Sequence, residues 1–160
     1  RSFREEGRLE DIKNQMKSGD YLLIQFGHND AAAEKKERYV PLETFGESLM
    51  EYIRVAREKK AYPILISSIC LRPCLANEQG ENAKIDALLP KYAEEMKKLA
   101  DKENIPYVDM LGITRKACAK AGEEQTAVWY REDNVHLQEA GAQLYAHFVA
   151  EEIKKLIGKE

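Results

Sequence analysis

The sequence has no apolar run near the roughly 20 residues that a helix needs to cross a bilayer, so no membrane span or membrane partner is expected. It also lacks a surplus of positive charge: 25 Lys and Arg stand against 28 Asp and Glu, a formal net charge of -3. Nucleic-acid binders usually show a basic excess, so no nucleic acid is expected as a partner. Cysteine is scarce. Cys70, Cys74 and Cys118 are too few, and odd in number, for a disulfide framework. Cys70 and Cys74 could bridge locally, or join Cys118 and a histidine around a metal. The plainer expectation is buried thiols and no metal. No Pro/Gly/Ser-rich linker, low-complexity stretch or repeat divides the chain. Its 160 residues fit one domain and can bury a sizeable core. The chain begins at Arg1, without Met, a few residues ahead of a helical pattern. A preceding segment is therefore expected, and no compartment is assigned, cytoplasmic and secreted both being compatible with these residues.

What is present is alternation. Leu9, Ile12 and Met16 recur at helical spacing and Gly19 stops the run, which predicts a helix over about Glu5 to Lys17. Tyr21 to Phe26 is a short apolar run without alternation that suits a strand covered on both faces. A polar loop follows, charged from Glu34 to Arg38. Thr44 and Glu47 form a capping-box pattern, and Leu49, Ile53 and Ala56 mark the buried face of a helix to about Lys60. Pro63 to Ile69 is a second strand, followed by a loop from Cys70 to about Ile85. Pro90 suits the first turn of a helix striped by Tyr92, Met96 and Leu99. Pro106 to Asp109 is a third strand, Ile113 to Ala121 a short helix, and Gly122 to Asn134 a loop. Leu137, Gly141, Leu144 and Phe148 open a last helix that ends near Gly158. Helices and strands in alternation predict a parallel sheet with helices on both faces. Ligands in such folds sit beyond the carboxyl ends of the strands.

Two polar clusters stand at such positions. One is Gly27-His28-Asn29-Asp30, after the first strand. The other is Asp133-Asn134-Val135-His136, before the last helix. A histidine acting as general base needs one ring nitrogen toward the nucleophile and the other on a carboxylate, and a D-x-x-H turn can supply both. The plain alternative is an Asp that only caps a helix. The Asn29 amide at a strand end can donate to a developing oxyanion, or it can simply close a turn.

Taken together, G-x-N-D after an early strand and D-x-x-H before the C-terminal helix resemble the SGNH (GDSL-type) hydrolase family. Arg1-Ser2-Phe3, then Glu6-Gly7-Arg8, "GDYLLIQFGHND", "AYPILISSICLRP", "ENIPYVDM" and "DNVHLQEAGAQLYA" are similar to its rhamnogalacturonan acetylesterase branch, and the similarity runs through essentially the whole chain. The resemblance implies one flavodoxin-like three-layer α/β/α sandwich with a parallel sheet. It also implies ester hydrolysis through a serine acyl-enzyme without metal or cofactor. Asn29 matches the oxyanion asparagine, Gly27 the glycine of the same block, His136 the base and Asp133 the residue that orients it.

The family's nucleophile lies in a G-D-S block on the first strand, and no G-D-S occurs in these 160 residues. On this resemblance the serine block and the first strand would precede Arg1, and the chain by itself is expected to hydrolyse acetyl esters poorly. Ser2, Ser67 and Ser68 lack the strained turn of a family nucleophile. That first strand would lie beside Tyr21 to Phe26, so without it the apolar edge is expected to drive self-association. The implied substrate is an acetylated pectic or related polysaccharide. Trp129 and Tyr130 are candidate sugar-stacking residues, and Arg72 a candidate fork for a galacturonate carboxylate. His28 and His147 read as structural. A lipase- or lysophospholipase-like esterase and a non-catalytic sugar-binding or structural domain are the alternatives.

Overall fold

In the computed structural model residues 1–73 and 80–158 are described; Cys74, and with it the proposed Cys70–Cys74 bridge, lies outside them. The elements run α1 (Ser2–Glu5), α2 (Arg8–Gln15), β1 (Tyr21–Phe26), α3 (Leu42–Glu58), β2 (Tyr62–Ser67), α4 (Glu81–Glu103), β3 (Tyr107–Val108), α5 (Met110–Ala127) and α6 (Glu139–Ile157). The strands form a parallel sheet in the order β1-β2-β3, with Tyr21 opposite Tyr62 and Leu65 opposite Tyr107.

The sheet is layered as the alternation predicts. Phe26 meets Tyr52 of α3 with ring centroids 5.0 Å apart, and the Tyr107 hydroxyl donates to Ala93 O of α4, so α3 and α4 cover one face. Ile64, Ile66 and Val108 point the other way and are buried too, where α5 and α6 pack on β2 and β3. That second layer does not extend over β1. Tyr21 and Leu23 remain 40% and 45% exposed, so β1 is not the doubly covered strand that its composition suggested. Among the described residues β1 pairs on one side only.

Several helix limits differ from those read in the sequence, each for a local reason. Gly7 at φ 78° breaks the first helix into α1 and α2. α3 starts behind Pro41, and the Thr44 hydroxyl donates to Pro41 O (3.2 Å) instead of building a capping box. Pro90 lies inside α4. Proline removes the N–H that would bond four residues back, and the stranded Asp86 carbonyl instead accepts from Arg115 Nη2 at 3.2 Å. α5 starts earlier than expected because Asp109 accepts from Gly112 N at 2.9 Å, a side-chain N-cap. It runs on to Ala127 through a break at Gly122, φ 81°.

Candidate active site

The first wall of the site is built where β1 ends. Gly27 has φ 126°, a backbone conformation that L side chains rarely adopt, and its N–H donates to Asp30 Oδ2 at 2.9 Å. Ala31 N returns to Gly27 O at 3.0 Å, so the chain turns tightly and leaves Asn29 exposed at the tip. Asp30 is buried, which pushes its carboxyl up, partly offset by the Gly27 N–H. The Tyr92 hydroxyl donates to Val40 O (2.7 Å), and Val40 N donates to Asp30 O (3.1 Å), fastening the turn to α4 and to the approach of α3.

The second wall is the loop between α5 and α6. Tyr130 and Leu137 form an antiparallel bridge, and Arg131 N donates to His136 O at 2.7 Å, so residues 130–137 fold back on themselves. Asp133 sits at the tip. Its Oδ1 accepts from Val135 N and His136 N, each at 2.9 Å, and its Oδ2 lies 2.6 Å from His136 Nδ1. The His136 N–H, then its ring, then the Val135 N–H draw the Asp133 carboxyl down to about 2. One carboxylate thus shapes the turn and orients the imidazole, leaving Nε2 for chemistry.

The two walls meet. Asn29, His28, Asp133 and His136 line one cavity of about 470 Å³, with Ile69 from the segment after β2. The His28 imidazole is pushed below its ordinary value by burial first and then by His136. Lys35, Arg38, Glu81 and Asn82 complete much of the lining. Lys35 Nζ lies 3.2 Å from Glu81 Oε2. The sequence reading passed over these four; the only signal was the density of charge from Glu34 to Arg38. It also set His28 aside as structural, although it stands next to Asn29.

Three expected substrate contacts land elsewhere. Tyr130 is 1% exposed, and its hydroxyl donates to Cys70 O at 2.9 Å and lies 2.8 Å from the Tyr145 hydroxyl, so it is a core residue and offers no face to a sugar. Trp129 is half-buried, edge-on to Tyr145 at 6.2 Å, and is not part of the cavity lining. Arg72 is not part of that lining either; its guanidinium is held by Asn134 Oδ1 (3.0 Å) and Glu123 O (3.0 Å), so its fork is already filled. Gly27 lies at the base of the Asn29 turn beside a smaller cavity of about 200 Å³ that Ser68 also lines. Ser67 is buried and accepts from Leu111 N at 2.9 Å. Cys70 and Cys118 are buried thiols with sulfurs 3.7 Å apart.

A parallel sheet with an amide and an Asp–His pair beyond its strands defines a class. Residues 1–144 match the GDSL-like Lipase/Acylhydrolase family, and the chain belongs to it. Among particular proteins it is 37% identical to rhamnogalacturonan acetylesterase RhgT of Bacillus subtilis, over 97% of this chain and 69% of that protein. It is 26% identical to a rhamnogalacturonan acetylesterase of Emericella nidulans, over 91% of this chain and 65% of that protein. The crystal structure of YxiM from Bacillus subtilis superposes with a TM-score of 0.78 at 26% identity, covering 97% of this chain and 42% of that one. The acetylxylan esterase Axe2 of Geobacillus stearothermophilus, 20% identical with a TM-score of 0.70 over 95% of this chain and 67% of that one, shares the fold.

Proposed function

We propose that this chain carries the base and oxyanion walls of a serine carbohydrate esterase that removes acetyl groups from pectic or related polysaccharides. The observation that carries the reading is the 2.6 Å Asp133–His136 contact placed in one cavity with Asn29. A serine hydroxyl attacks the acetyl carbonyl while His136 Nε2 takes its proton. The Asn29 amide donates to the oxyanion, and Asp133 stabilises the imidazolium. Collapse breaks the bond to the sugar oxygen, which leaves as an alkoxide, takes the proton back from His136 to become the hydroxyl, and leaves an acetyl-enzyme. Water, deprotonated by the same imidazole, then releases acetate.

No serine lines this cavity among the described residues, so the reading draws the nucleophile from outside these 160 residues. The same reading assigns a further strand to the open side of β1; in the chain alone, a second copy takes its place. The substrate class rests on the relatives named as rhamnogalacturonan acetylesterases. The charged lining of Lys35, Arg38 and Glu81 supports a short acyl group on a polar carrier over a lipid chain. The test is acetate release by this chain joined at Arg1 to a family Gly-Asp-Ser segment. Acetylated rhamnogalacturonan should be turned over with higher kcat/KM than acetylxylan or a long-chain ester. Preference for the long-chain ester would replace this reading with a lipase.

A further inference from the structure

The Asp133–His136 loop has a shape of its own, but its internal hydrogen bonds do not tie it to the sheet. Arg72 does. Its backbone N–H donates to Asn134 O at 3.0 Å, and its Nη1 donates to Asn134 Oδ1, also at 3.0 Å. Asn134 lies between Asp133 and His136 and has φ 58°, the left-handed region that few non-glycine residues occupy. The other side of the guanidinium is anchored on α5: Nη2 donates to Glu123 O at 3.0 Å and Nε to Thr126 Oγ1 at 3.4 Å. Gly122, at φ 81°, is the break that precedes Glu123 in α5. Arg72 thus joins the segment after β2, the end of α5 and the Asp133–His136 loop.

We infer that Arg72 is a positioning residue of the candidate site, clamping Asn134 so that Asp133 and His136 keep their pose opposite Asn29. It touches no reacting atom and acts through Asn134. The inference rests on the esterase reading of Asp133 and His136. Geometry favours arginine over lysine here, since the planar fork reaches three acceptors that a single ammonium cannot span. Reacting groups displaced by about 1 Å can lose on the order of 10²-fold in rate.

The test is the ionisation of Asp133, followed by its carboxyl carbon in NMR spectra of this chain. The unaltered chain should keep Asp133 ionised at about pH 3, because its carboxyl is held down to about 2. In Arg72→Ala the loop loosens, and the midpoint should rise toward about 4, the ordinary carboxylate value. Arg72→Lys keeps the charge but loses the fork, and should show most of the same rise. Asn134→Gly keeps the left-handed backbone, leaves Arg72 in place and removes its Oδ1 acceptor. It should raise the midpoint as well, and it decides the matter if Arg72→Ala does not fold. A midpoint unmoved in Arg72→Ala or Asn134→Gly overturns the clamp, as does full restoration by lysine, which would mean charge alone. An Asp133 midpoint near 4 in the unaltered chain would instead remove the Asp133–His136 pairing itself, and with it the esterase reading.

Discussion

Asp30 and Gly27 show how single residues set this site. The Asp30 carboxylate is buried to satisfy one backbone N–H at the foot of the Asn29 turn. Asp30→Ala should cost about 1 to 3 kcal/mol in urea unfolding, the penalty of an orphaned buried donor, while Asp30→Asn keeps the acceptor and should cost far less. Equal losses would show that the Gly27 contact contributes little. His28 makes a pH prediction. Burial, then the charge of His136, and then Lys35 and Arg38 lower its folded value below the ordinary 6.5, while Glu81 opposes them. As pH falls through 6.5 toward that lower value, the unfolded chain takes a proton that the fold refuses. Stability should therefore decline over that window and recover above it. Urea midpoints at pH 7 and about pH 5 should differ less in His28→Gln than in the unaltered chain; equal slopes would contradict this. The Asp133–His136 contact was legible in sequence because the two residues lie three apart in one turn. Arg72 and Tyr130 were misread because what they bind lies 62 and 60 residues away, at Asn134 and Cys70, and sequence spacing carries no sign of such partners.

At the scale of elements, the α5–α6 loop depends on a close approach. A Cβ on Gly141 would stand 2.2 Å from Trp129 O, so only glycine lets α6 lie against the strand-like start of the loop. Gly141→Ala should destabilise by about 1 to 3 kcal/mol through overpacking. It should also shift the NMR signals of Asp133 and His136; a silent substitution would mean that the loop is not seated on α6. The β1 edge gives the second prediction at this scale. Leu23, 45% exposed on a strand whose outer edge is unpaired among the described residues, should promote concentration-dependent dimers in light scattering, and Leu23→Lys should reduce them. A monodisperse monomer at high concentration would count against a second copy on that edge. The strand positions and their parallel order were readable from apolar runs and their spacing. The helix limits were not. Gly7 and Gly122 act through a positive φ, and Pro90 is tolerated because Arg115, 25 residues on, takes up the carbonyl it strands. Sequence reads proline as a boundary, whereas the fold supplies the missing donor.

For the whole molecule, the layers bring an amide from the end of β1 and an imidazole from the α5–α6 loop to one cavity, although 107 residues separate Asn29 from His136. The order of elements made that meeting place predictable, while its charged rim of Lys35, Arg38 and Glu81 depends on how two loops pack. This cavity should hydrolyse acetyl esters once a serine is supplied. The decisive measurement is 4-nitrophenyl acetate turnover by three proteins: the chain alone, the chain joined at Arg1 to a family Gly-Asp-Ser segment, and that joined protein carrying His136→Ala. Little turnover is expected of the chain alone, acyl-enzyme turnover of the joined protein, and a loss of about 10³-fold or more in kcat with His136→Ala. Undiminished turnover in His136→Ala, or brisk turnover by the chain alone that this substitution abolishes, would contradict these expectations.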